Sequence, residues 1–391
     1  MISITLPQAM QFILQKNYLA HQQAHSVPQI VKSIAGLPAD SLTTPFLAAR
    51  ARLSDFKPDD LQTALEQPAG FLKSALMRSA PYVITAEHYP TYYAATARQR
   101  KKDFNAEFRL WGIADNAEIE KLGDMILTVV GAAPLSAEAI MTRLPVGAVK
   151  KYTHTSRGGR VTETTNVELA LRWLGAQAQL YTANISSDWH SERLVFGHFA
   201  DKYPDIDLAD LPSEAEAQKE LVHRYLAAFG PVTEADISFW TGFGKSETAR
   251  ATGVLARDIM LTMVQGSSGI LLSLKSQVDT LKVVEPPAEP VISVLPADDP
   301  FITAHRASRA RYFSDQKLQR RVFNSVGAAK PTILVNGQVV GLWSWEPNDE
   351  SATLTWQLLT AVDAAVEALI EAEIEQVAAF VGAEVVRSES A

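Results

Sequence analysis

Residues 221–250 read LVHRYLAAFGPVTEADISFWTGFGKSETAR. Leu221 to Ala228 is an amphipathic run, and Gly230-Pro231 interrupts it. Thr233 then stands where a helix N-cap belongs, with Asp236 three residues on, a Thr-x-x-Asp variant of the capping box. Thr241-Gly242-Phe243-Gly244 frees the chain to turn, and Lys245 and Ser246 open a second helix with Thr248 and Arg250 near its start. This pattern predicts a helix-turn-helix. A helix that begins with polar and basic residues can offer them to a DNA groove, or leave them facing water as one arm of an ordinary helix hairpin.

Working outward, Ser213 and Glu216 form a capping box upstream. Downstream, Ile259 to Val264 and Gly269 to Leu274 read as two strands around a Gln-Gly-Ser-Ser-Gly turn. Three helices followed by a strand pair give the order of a winged helix. The order recurs at least once more upstream. Ile119 to Val130 is a helix, Ser136 caps another, and Asn166 is expected to cap Val167 to Ala178, which leads into strand-like Gln179-Leu-Tyr-Thr-Ala. Residues 1–115 are expected to be mainly helical, with helices over Met10 to Leu19, Val27 to Leu37, Asp59 to Gln67 and Pro90 to Arg100. A Pro-rich linker, Glu285 to Pro290, precedes a strand-rich end: Val291 to Leu295, Thr332 to Val335, Gln338 to Trp345 and Ala352 to Leu358. Asn336-Gly337 is a type I′ hairpin signal within it. A closing acidic helix, Ala361 to Val381, carries the stripe Val362, Val366, Ile370, Ile374 and Val377. The fold class is therefore α+β and mainly helical. The expected segments are 1–115, 116–205 with a basic hairpin, 206–284, and a β-rich 285–391 ending in the acidic helix.

At 391 residues the chain has room for several cores, and it has no cysteine. That removes disulfides, thiolate metal sites and thiol nucleophiles together. No apolar run reaches membrane-spanning length, and the N-terminus lacks a basic leader with a cleavage site, so a cytoplasmic location without membrane contact is expected. The formal net charge is −8. Residues 346–391 alone carry −9, which leaves +1 for the rest. Basic clusters stand out in that remainder: Arg98, Arg100, Lys101 and Lys102; Lys150 and Lys151; Arg157 and Arg160 at a Gly-Gly hairpin tip; Arg306 to Arg311; and Lys317 to Arg321. Phosphate binding requires a local basic face rather than a basic average, and each cluster can equally be solvated surface.

Other motifs carry less. His21 and His25 have the i, i+4 spacing of a zinc helix, but Gln22 stands where the general base would be and no third ligand is evident. Gly242-Phe243-Gly244-Lys245-Ser246 ends like a P-loop, yet lacks its first glycine and the preceding strand. Neither a metal nor another cofactor is expected. Trp240, Trp343 and Trp345 suit core positions.

Three blocks, YLAAFGPVTEADISFWTGF, SVLPADDPFITAHRASR and TILVNGQVVGLWSWE, resemble the bacterial winged-helix DNA-binding proteins that include the alkylpurine and crosslink-repair DNA glycosylases. The resemblance implies three tandem winged helices around a concave DNA-binding face, with a β-rich C-terminal domain. It also implies a Gln-apolar-Gln or Gln-apolar-Asp catalytic triplet after a Gly-Leu. Here Gly36-Leu37 is followed by Pro38-Ala39-Asp40, so the acid is kept and the first amide is replaced by proline. The implied activity is hydrolysis of an N-glycosidic bond in alkylated double-stranded DNA, with a monomeric protein expected. In that reading Asp40 is the catalytic residue, balancing positive charge on the sugar or activating water. Pro38, Arg98, Arg100, Lys101, Lys102, Lys151, Arg157, Arg160, Lys245 and Arg250 are the candidate DNA contacts. Taken alone, Asp40 before Ser-Leu-Thr also suits a helix cap. Two other functions stay open: a non-catalytic DNA-binding sensor or regulator, favoured by Pro38, and a protein-interaction scaffold, favoured by the acidic total.

Overall fold

Thr233 caps the helix Glu234–Thr241, with the reciprocal hydrogen bonds of a capping box to Asp236. Gly242, in the left-handed region at φ 80°, ends that helix, and the next runs Lys245–Val254. The computed structural model describes residues 1–388 apart from 22, 68–69, 157, 160, 268, 326 and 347–351. The fold is α+β with helices predominating. It divides into two compact units: Met1–Pro38 with Thr44–Lys57 and Val222–Ala391, and Ala39–Thr43 with Pro58–Leu221. Neither unit coincides with any one of the four segments read from the sequence.

In the first unit, strands Ile259–Val264 and Leu271–Leu274 pair as expected, and Val232 bridges to Leu272. The sequence reading did not include Ile2–Ile4, which adds to this hairpin as a parallel strand. Asp236 does more than cap. Its Oδ2 accepts from Thr233 N at 3.0 Å, while its Oδ1 accepts from the backbone N–H groups of Arg306, Ala307 and Ser308 at 2.7, 2.7 and 3.2 Å. One buried carboxylate therefore fixes two of the three blocks that carry the family resemblance to each other. A second buried acid, Asp299, takes a bidentate bond from Arg52 at 2.8 and 2.7 Å, with the arginine wholly enclosed.

The β-rich end is a five-stranded sheet of Ile292–Leu295, Thr332–Val335, Gln338–Glu346, Ala352–Leu358 and Ala383–Arg387, in that order. Only the last pair is parallel. Asn336 and Gly337 have φ of 50° and 79°, as a type I′ turn demands. A Cβ at Gly337 would lie 2.7 Å from Met10 Cε, so glycine is required there twice over. The acidic helix, Ala364–Val381, buries Ile370, Ile374 and Val377 of the expected stripe, together with Ala378 and Val381. It packs on the strands Ile292–Leu295 and Ala383–Arg387. Val366 is half-buried, and Val362 lies before the helix starts.

The second unit is built on the helix Tyr89–Leu110, which runs well past the Arg100 boundary expected from sequence. Phe104 and Phe108 meet Trp173 edge-on, with ring centroids 5.5 and 5.9 Å apart. Helix Asn116–Val130 contributes Ile119, Leu122, Ile126 and Val130 to the same core. Its partner Asn166–Ala176 is capped by Thr165 with Glu168, rather than by Asn166. Asn166 is buried instead, where its side chain accepts from Lys150 N and donates to Ala148 O, both at 2.8 Å. Leu135 bridges to Phe196, which lies in a hairpin of Leu180–Asn184 and Leu194–His198. This unit also holds a hairpin, Phe71–Ala75 with Pro81–Thr85, within the stretch expected to be mainly helical.

Candidate functional site

Helix Val27–Ser33 ends in a tight reversal, with Ala35 and Gly36 at φ 55° and 113°. Ile34 through Ala39 are all buried, and exposure begins at Asp40. The Pro38 side chain is thus part of the interior, whereas the Asp40 carboxylate meets solvent. The next helix, Thr44–Arg50, starts four residues beyond Asp40, so Asp40 is not its N-cap.

Within the second unit, Ala39 N donates to Pro81 O at 2.9 Å, which lays the Asp40 loop beside the strand Pro81–Thr85. One strand further on, Ala75 pairs with Pro81 and Lys73 with Val83. Side chains two apart on a strand share a face, so Lys73 projects on the same side as Ala75. Lys73 is half-buried. Burial lowers its pKa below the ordinary lysine value, against the opposing pull of Glu192 and Asp40. The field of Asp40 therefore reaches Lys73, although the two stand 33 positions apart in sequence.

Lys73, Ala75 and Pro81 line a cleft of about 720 Å³. Its walls are apolar and aromatic, including Phe104, Leu171, Tyr181 and Phe196. Its acids are already engaged. Asp103 accepts from Ser79 and Gln99 at 2.9 and 2.7 Å, Glu107 pairs with Arg172 at 2.6 Å, and Glu168 serves the Thr165 cap. Lys73 and the cleft were both missed from sequence. The one available signal was a lysine set inside the apolar run Phe71-Leu72-Lys73-Ser74-Ala75.

The candidate DNA contacts separate by exposure. Arg98, Lys101 and Lys102 lie on the solvent face of the helix Tyr89–Leu110, at i, i+3 and i+4. Arg100 corrects the expectation, being 2% exposed. Its guanidinium covers the Tyr93 ring at 4.2 Å and donates to Tyr93 O at 2.8 Å and to Thr96 Oγ1. A cation enclosed in this way presents nothing to a phosphate. Lys151 is exposed at the start of the hairpin Lys151–Thr155 with Val161–Thr165. Its neighbour Lys150 is paired with Glu118 at 2.7 Å. Arg157 and Arg160, expected from sequence at a hairpin tip, lie outside the described residues. In the first unit, Lys245 and Arg250 are each exposed on the helix Lys245–Val254, and Thr248 turns inward. His21 and His25 fall in irregular chain between two helices, so they share no helical face.

Comparison with known proteins adds to this geometry. No curated protein matches the chain by sequence. Among solved structures, Streptomyces sahachiroi DNA glycosylase AlkZ superposes with a TM-score of 0.75 at 16% identity, covering 99% of this chain and 100% of that one. At that identity the likeness speaks for the fold. The family described as DNA glycosylase AlkZ-like matches residues 31–380, a span that contains Asp40, Lys73, the cleft and four of the five strands of the β-rich sheet. By that match, this chain belongs to the AlkZ-like DNA glycosylase family.

Proposed function

We propose that this protein is a DNA glycosylase that hydrolyses the N-glycosidic bond of alkylated bases in double-stranded DNA, with Asp40 as the electrostatic stabiliser and general base. The observation that carries the reading is the switch in exposure at Asp40. A loop buried through Ala39 delivers one carboxylate to solvent beside the cleft, with no helix for it to cap. Bond cleavage places positive charge on deoxyribose, and a fixed carboxylate nearby lowers that barrier. An alkylated purine already carries positive charge and leaves readily, so one carboxylate can suffice without a general acid.

The helical segments supply the surface for binding. Two of them, 116–198 and 214–274, each run helix, bridging residue, two further helices and a closing two-stranded hairpin, although in the first the hairpin Lys151–Thr155 with Val161–Thr165 is inserted between the last two helices. We read these as winged helices, together with a third built from 27–85. Arg98, Lys101, Lys102, Lys151, Lys245 and Arg250 are the exposed cations that would meet phosphates, with Arg157 and Arg160 as further candidates.

A second reading has its own support. Pro38 removes the amide that the family triplet places before Asp40, so the chain could hold damaged DNA without cutting it. Incubation with duplex containing 7-methylguanine, followed by alkali cleavage at abasic sites, separates the two. Base release by wild type, lowered ~10²–10³-fold in Asp40→Asn with DNA affinity kept, is the expected result. Tight binding without release would establish the sensor and overturn the glycosylase.

A further inference from the structure

The Lys73 ammonium makes no hydrogen bond or ion pair among the described residues, although two carboxylates lie close enough to act on it. A half-buried lysine placed for stability alone would hold one of them in contact. Lys73 instead lines the cleft, on the strand that lies across Pro81–Thr85 from the Asp40 loop. Adjacent strands stand about 4.8 Å apart, so two spacings, roughly 10 Å, separate the Asp40 loop from the Lys73 strand, which leaves room for a sugar between amine and carboxylate while the Asp40 charge still acts on Lys73. The site thus joins an unpaired amine, an apolar cleft and a solvent-facing carboxylate. Burial also lowers the lysine pKa, which favours the neutral, nucleophilic form.

We propose that Lys73 is an amine nucleophile toward abasic deoxyribose, giving this protein a strand-cleaving lyase activity at abasic sites. The inference rests on the reading of Asp40 as facing a deoxyribose. The neutral Nζ attacks C1′ of the ring-opened sugar, and the carbinolamine loses its oxygen as water to give a protonated imine. Asp40 takes a proton from C2′. The electron pair of that C–H bond moves toward the imine, and the C3′–O bond breaks, releasing the 3′-phosphate with its electrons. Water then hydrolyses the conjugated imine, which returns Lys73 and leaves an unsaturated aldehyde on the 5′-side fragment. One water leaves and one enters, and nothing is oxidised or reduced.

The test uses the full chain and a duplex carrying one preformed abasic site, with sodium borohydride to reduce the imine. Wild type should give a covalent protein–DNA band on a denaturing gel. Lys73→Arg keeps the charge but forms no stable imine, and should lower that band at least ~10²-fold while still binding the duplex. Lys73→Met should do the same. No band from wild type, or an undiminished band from Lys73→Arg, would overturn the proposal. Release of 7-methylguanine is measured separately. Release without trapping removes the lyase and leaves the glycosylase, whereas trapping without release does the reverse.

Discussion

Replacing Arg52 by Met should destabilise the first unit more than any surface change. Arg52 is wholly enclosed, and its Nη1 and Nη2 donate to Asp299 at 2.8 and 2.7 Å, with Nη1 also donating to Ala48 O at 2.9 Å. Asp299 is 1% exposed and also caps the turn at Phe301, accepting from its N–H at 2.9 Å. Methionine would keep much of the packing volume but leave a buried carboxylate without a counter-charge. Loss of one partner of a buried pair costs about 3–5 kcal/mol. Urea unfolding followed by tryptophan fluorescence measures this as a lower midpoint, read at constant slope. Adding Asp299→Asn to Arg52→Met should recover part of the loss, because the orphaned charge is removed while the Phe301 cap can survive. A loss below about 1 kcal/mol in Arg52→Met, or a further fall in the double variant, would refute the view that the charge pair is what holds Asp299.

The remaining expectations concern acid, salt and the triplet. Burial, with Arg311 beside it, pushes His305 down to about 3, against the pull of Asp236. Its folded pKa is thus below the unfolded value of 6.5, so the stability it contributes is complete above pH 6.5 and is lost as pH falls toward 3. The slope should be about 1.4 kcal/mol per pH unit, and His305→Gln should flatten it; an unchanged slope would assign the acid sensitivity elsewhere. Lys101→Ala with Lys102→Ala should weaken duplex binding alike for all sequences and reduce the log–log salt slope by about two. A slope that does not move would take this helix face out of the DNA site. Pro38→Gln should raise base release by up to ~10²-fold if the missing amide limits the rate. A fall in rate, with the unfolding midpoint unchanged, would show that proline is the better residue here.

What could be read from sequence follows the range of the forces involved. The Thr233–Asp236 box, the Asn336-Gly337 turn and the strand Thr332–Val335 depend on neighbours within a few residues, and they stand where the pattern put them. The hairpin 71–85 was missed because its turn is made by Arg78 and Ser79 at φ 55° and 58°, with no glycine to announce a left-handed backbone. Ile2–Ile4 pairs with Thr262–Val264, a contact that no local pattern encodes. Arg100 was misread differently. Four cations within five residues look like one patch, but helical geometry sends Arg98, Lys101 and Lys102 to one side and Arg100 to the other, where Tyr93 and Thr96 receive it.

Asp40 and Lys73 extend the same point to chemistry. Sequence can announce a carboxylate or an amine, but reactivity depends on how much water each keeps, and tertiary structure decides that. Asp40 became a candidate through the family triplet alone. Its exposure, after six consecutive buried residues, is what makes it available. Lys73 had no motif to mark it, and its altered proton affinity arises because a strand pairing carries it into an apolar cleft. Ser74, on the opposite face of that strand, also borders the cleft but is buried, so shifting the 71–85 pairing by one residue would move the amine from a half-buried position to a buried one without changing a single side chain. Register, more than residue identity, therefore decides whether this hairpin is scaffold or site.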